Sequence, residues 1–139
     1  MDVNKDTMMK CLRPLVEDEE KIICPVFGMV KKNVKRMTHS TSEYAFITIT
    51  SKGRLLLYRF DQSTSYTETY NLSTIIFGEL HKLQNSGVYA AELSFIDDNG
   101  MQKDVNFSVD PTPKGRAFEL PNQMKYADKM FAILGKIVP

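Results

Sequence analysis

Residues 44–60 read YAFITITSKGRLLLYRF, two runs of β-branched, aromatic and leucine residues on either side of Ser51-Lys52-Gly53. A short glycine-containing break between strand-like runs predicts a β-hairpin. In the first run Ala45, Ile47 and Ile49 fall on one face and Tyr44, Phe46 and Thr48 on the other. Both faces are largely apolar, so this strand needs cover on both sides. Leu55-Leu56-Leu57 repeats the pattern in the partner. A chain built round such a hairpin must cover it on both faces.

The rest of the sequence offers both. Residues 7–13 predict a short helix with Thr7 as N-cap, stopped by Pro14, whose Met8, Met9, Cys11 and Leu12 would cover one edge of a barrel. The acidic run Glu17-Asp18-Glu19-Glu20 reads as a solvated face. Residues 21–30 predict a first strand, with Pro25 marking an edge or bulge and Gly28 allowing a bend. Tyr66, Tyr70 and Leu72 alternate with threonines in a half-buried strand, and Glu68 falls on the aromatic side with no account from the sequence. Residues 74–83 favour a strand through Ile75-Ile76-Phe77. A second hairpin follows: Tyr89, Ala91, Leu93 and Phe95 on one face, a turn at Asp97-Asp98-Asn99-Gly100, then Val105, Phe107 and Val109. After the breaker-rich residues 110–115, Met124, Ala127, Phe131, Leu134 and Val138 recur at helical spacing from Asn122 onward. The expected fold is mainly β with helices: an antiparallel barrel or sandwich of about seven strands, a short N-terminal helix and a C-terminal capping helix. The 139 residues fit a single domain without internal repeat.

Four stretches in this order resemble the bacterial pleckstrin-homology-like (PH-like) domains. They are the acidic lead-in Leu15-Val16-Glu17-Asp18-Glu19-Glu20-Lys21-Ile22, the hairpin Thr50-Ser51-Lys52-Gly53-Arg54-Leu55-Leu56, the turn Phe95-Ile96-Asp97-Asp98-Asn99-Gly100, and Ala127-Asp128-Lys129-Met130-Phe131 in the terminal helix. The resemblance spans most of residues 1–139. It implies a partly open, helix-capped barrel without catalytic residues, used for binding or self-assembly. Eukaryotic relatives that bind phosphoinositides carry a K-x(n)-[K/R]-x-R pattern across the first two strands. Here Lys31, Lys32, Lys35 and Arg36 occupy about that loop, but residues 44–50 contain no basic residue and Lys52-Gly53-Arg54 belongs to the next turn.

Chemistry is sparse. His39 and His81 lack partners at metal-ligand spacing in the sequence, and Asp97-Asp98-Asn99-Gly100 departs from the calcium-loop spacing, so neither a metal nor another cofactor is expected. Cys11 and Cys24 sit in apolar stretches and read as core thiols. No nucleophile elbow or phosphate cradle occurs, and no enzymatic activity is expected. With 18 basic and 17 acidic residues the net charge is +1, and the basic loop has no interleaved aromatics, so nucleic acid is not an expected partner. Lys31, Lys32, Lys35 and Arg36 form the candidate site for an anion or lipid head group, against the plainer reading of a solvated loop. No run reaches the roughly 18 apolar residues of a membrane span, and the first ten residues lack a signal-peptide core, so a reduced, cytoplasmic setting is expected. The leading function is a non-catalytic module joining a protein partner or copies of itself through its surface or a strand edge. The alternative is a small-ligand barrel, either a carrier or a cryptic enzyme, with a pocket under the C-terminal helix, for which Glu68 and Glu92 are the strand carboxylates, Glu92 on the wet face.

Overall fold

The computed structural model describes residues 2–32, 41–113 and 118–139. Its main sheet has seven antiparallel strands: β2 (Val26–Lys32), β3 (Thr41–Ile49), β4 (Arg54–Phe60), β5 (Ser65–Asn71), β6 (Ile75–Lys82), β7 (Tyr89–Ile96) and β8 (Gln102–Val109). Their order is β5-β4-β3-β2-β8-β7-β6. Two meanders are therefore joined through the first and last strands of the series, β2 and β8. The two margins, β5 and β6, are neighbours in the chain, linked by one 3-10 turn, Leu72–Thr74. The sheet curls until Tyr70 on β5 stacks against Phe95 on β7, ring centroids 4.7 Å apart. A short parallel pair, β1 (Val3–Asn4) with β9 (Phe118–Glu119), and the helices α1 (Lys5–Leu12) and α2 (Gln123–Ile137) complete the fold. This is the mainly β, seven-stranded, two-helix arrangement that the periodicities predict.

The central hairpin is covered on both faces, as its composition requires. Ala45, Ile47, Ile49, Leu55 and Leu57 point inward and join Ala127, Met130, Phe131 and Leu134 of α2 in the principal core. Phe46 and Phe60 point outward and are buried with Phe27 under Val3, Met8 and Leu12. Helix α1 thus lies on the outer face of β3 and β4, not along a barrel edge. Two apolar faces left only that place for it.

Several boundaries differ from expectation for local reasons. Asn4, not Thr7, caps α1: its Oδ1 accepts from the Thr7 N–H at 2.8 Å, so the helix begins at Lys5. Pro14 sits inside a 3-10 turn, Arg13–Leu15, and α1 stops at Leu12. The first long strand starts at Val26, immediately after Pro25, and runs between β3 and β8. Pro25 therefore marks no edge. A proline just outside a strand costs that strand no ladder hydrogen bond. Residues 21–25 stay outside the sheet apart from a bridge between Ile22 and Thr50. In α2, Met124 is exposed and Met130 takes the buried place. Gln123, a polar residue that helical periodicity passes over, is buried at the start of α2. Its amide accepts from Phe27 N–H at 3.1 Å and donates to Phe27 C=O at 2.8 Å and to Asp110 C=O at 3.0 Å.

Gly28 lies where β2 crosses to β8. A Cβ there would come 2.5 Å from the Ser108 carbonyl oxygen and 3.2 Å from Ile47 Cδ1. The obstructing atom is backbone within a ladder, so it cannot swing away as a side chain would. Gly28→Ala is expected to cost about 2 kcal/mol, read as a lower urea midpoint with an unchanged slope. A midpoint equal to wild type would show that β2 and β8 tolerate a wider separation.

Candidate functional site

Among the described residues, three places stand out for polar or exposed groups beyond what packing alone needs. The first joins two stretches far apart in sequence. Glu19 takes φ 65°, a left-handed value usual for the third residue of a tight turn, and so carries Glu20 inward. The acidic run is therefore not wholly a solvated face: the Glu20 side chain is buried. It accepts from Arg54 Nε at 2.8 Å, from an Arg54 terminal nitrogen at 2.5 Å and from the Thr50 hydroxyl at 2.5 Å. Arg54 also donates to the Leu15 carbonyl at 2.9 Å and lies 3.4 Å from Glu17. The guanidinium above all, with the hydroxyl, holds the Glu20 carboxyl down at about 2. This is a structural clamp between the lead-in and the hairpin turn.

The second cluster lies on the inner face near the β5 margin. The register sets Ala45 opposite Arg59, Arg59 opposite Tyr66, and Leu57 opposite Glu68. Arg59, Glu43, Tyr66, Glu68 and Tyr70 consequently share the face that elsewhere carries the core. Arg59 donates to Glu43 Oε1 at 2.8 Å and to Glu68 Oε1 at 2.5 Å, and its guanidinium sits 4.9 Å from the centre of the Tyr66 ring. Tyr66 donates to Glu43 at 2.8 Å, and Tyr70 donates to the other Glu68 oxygen. Burial, with the bond to Glu43, pushes the Tyr66 hydroxyl up to about 12, and burial likewise raises Tyr70. Arg59 Nε is buried without a hydrogen-bond partner among the described residues. The placement of Glu68 beside the tyrosines is thus explained by an arginine nine residues earlier, across the hairpin.

Beside this cluster an open groove of about 540 Å³ runs from Glu68 and Tyr70 to Phe95, Asp97 and Lys103. Both Glu68 oxygens are engaged, one by Arg59 and one by Tyr70. A shallower apolar groove of about 340 Å³, lined by Ile23, Ile49, Leu72, Ile133 and Ile137, lies beside the end of α2.

The third place is the β6 margin. Among the described residues β6 pairs only with β7. It exposes Phe77 at 50% and, just past its end, Leu83 at 54%. Between them stand Glu79 and His81, with Glu92 opposite Glu79 on β7. One ligand atom from each of these three exposed side chains falls within 4.8 Å of the others. His81 thus has carboxylates nearby that metal-ligand spacing does not anticipate: alternation along a strand puts Glu79 on its face, and the register adds Glu92.

Of the basic candidates, Lys31 is exposed on β2 and Lys32 ends that strand. Lys35 and Arg36 lie outside the described residues, as does His39. Glu92 is exposed, as its place on the wet face predicts. Cys24 is buried and Cys11 half-buried, both free, and burial raises both thiols. Asp97 Oδ1 accepts from Asn99 and Met101 N–H, each at 2.9 Å, so the Asp97 side chain helps close the β7–β8 turn. Among the described residues no helix is long and apolar enough to cross a membrane.

The chain matches no protein-family model, and no curated protein matches it significantly.

Proposed function

We propose that this chain is a single PH-like domain acting as a non-catalytic binding or self-assembly module, cytoplasmic in setting, that makes protein–protein contacts through a free strand margin. The observation that carries the reading is β6: eight residues of sheet edge with a half-exposed phenylalanine and an exposed leucine just beyond. An uncovered apolar edge is a template for another strand. The resemblance in the sequence supports the same reading, because its acidic lead-in and its hairpin are the two stretches that Glu20 and Arg54 clamp together.

Absolute mass by light scattering over a wide concentration range tests the proposal. A mass above that of one chain, brought down by Phe77→Lys with folding intact, is expected. A strict monomer that Phe77→Lys leaves unchanged in every respect, partner recovery included, would remove the edge from consideration. The second reading, an anionic head group at Lys31, Lys32, Lys35 and Arg36, rests on the exposure of Lys31 and the charge of the residues that follow in the sequence. Charge reversal at Lys32 and Lys35 that leaves binding to anionic vesicles unaltered would dispose of it.

A further inference from the structure

Resting on that reading, the geometry points to a specific occupant of the β6 margin: a second copy of β6, antiparallel about a two-fold axis through Leu80. The direction of the free backbone groups follows from the hairpin. The Leu83 N–H donates to the Val88 carbonyl at 2.9 Å, and the same register continues as His81 opposite Ala90, Glu79 opposite Glu92 and Phe77 opposite Ser94. Hydrogen-bonded pairs alternate along an antiparallel ladder, so the odd-numbered residues direct their backbone groups toward β7. Gly78, Leu80 and Lys82 therefore direct theirs outward. The register shift near Ile75 ends at Phe77, leaving a regular edge from there on.

Centred on Leu80, two copies exchange backbone hydrogen bonds at Leu80 with Leu80 and at Gly78 with Lys82. The intervening positions are the non-hydrogen-bonded pairs, where side chains approach most closely. There Glu79 faces the second copy's His81, and Phe77 faces the second copy's Leu83. The outer face of this segment reads Phe, Glu, His, Leu, so a two-fold axis matches apolar with apolar and acid with base. Other centres do not. An axis at Glu79 opposes two carboxylates, one at Lys82 opposes two ammonium groups, one at Gly78 sets Phe77 against Glu79, and one at His81 opposes two imidazoles. Glu79 and Glu92 stand directly opposite each other within one copy, where like charges repel, and that copy's own His81 lies 3.8 Å from Glu79. The pairing adds the second copy's imidazole beside them.

Charge exchange and cross-linking test the register. His81→Glu sets carboxylate against carboxylate twice per dimer and is expected to weaken self-association by about tenfold or more. Glu79→Lys with His81→Glu places opposite charges face to face in the same register, and association should return. Phe77→Cys combined with Leu83→Cys should give a covalent dimer on oxidation, whereas either cysteine alone gives far less. Circular dichroism establishes that each variant is folded. Self-association indifferent to His81→Glu, with no cross-link, would overturn this register while leaving assembly by another surface standing. A wild-type chain that is monomeric at every concentration would overturn both. Association abolished by a chelator and restored by zinc, with Glu92→Gln as damaging as His81→Glu, would replace strand pairing with a metal bridge at Glu79, His81 and Glu92.

Discussion

Replacing Arg59 with methionine is expected to destabilise the fold by about 3–5 kcal/mol, because removing one member of a buried ion pair strands the other charges without it. Two carboxylates depend on this guanidinium: Glu43 at 2.8 Å and Glu68 at 2.5 Å. Arg59 and Glu43 are both buried, and the three residues tie β3, β4 and β5 together on the inner face. Arg59→Lys should recover only part of the loss, since an ammonium group is a point charge without the planar fork that serves two acceptors. A triple variant, Glu43→Leu, Arg59→Met and Glu68→Leu, should also recover only part of it: apolar groups of similar volume often match a buried pair, but the Tyr66 and Tyr70 hydroxyls lose their carboxylate acceptors. Urea unfolding with a common slope measures all three. A loss below about 1 kcal/mol for Arg59→Met would mean that the cluster behaves as an exposed one.

The second large effect is expected at the other clamp. Arg54→Met should cost about 3 kcal/mol, since it removes charge-assisted bonds from a buried carboxylate. The pH dependence carries a definite sign. Glu20 is held at about 2 against an ordinary 4.5, so the fold binds its proton less readily than the unfolded chain does. The stability it contributes is full above about pH 4.5 and is lost as pH falls through about 2. Glu20→Gln should flatten the unfolding midpoint over that window while lowering it at neutral pH. If wild type and Glu20→Gln declined in parallel on acidification, the carboxyl would not be ionised by this clamp.

Much of the architecture was legible because it rests on period. The alternation in residues 44–60 and 89–109 sets β3, β4, β7 and β8, and the spacing of Ala127, Phe131 and Leu134 sets α2. What period does not carry is the direction of a single polar side chain. Glu17, Asp18, Glu19 and Glu20 look alike as a charge run, yet the left-handed turn at Glu19 buries one of them against an arginine thirty-four positions later. Glu68 is intelligible only once the register sets it across from Leu57, next to Arg59. The edge expected at Pro25 is absent for a related reason: whether a strand is an edge depends on what β8 does at the far end of the chain. The Phe77, Glu79, His81 and Leu83 pattern is plain in the sequence, but it acquires meaning only because the topology leaves β6 at a margin.

The amide of Gln123 accepts from and donates to the same residue, Phe27, much as a neighbouring strand residue would. At that one position a helix speaks the backbone language of a sheet. Helices seated by greasy ridges alone can slip by a notch when a core residue changes size. Here the first turn of α2 is keyed to β2 by directional bonds, so its axial position is fixed before Met130 or Leu134 meets the core. Core variants along α2 should therefore leave holes rather than slide the helix, and the plug keeps its depth while its packing is altered.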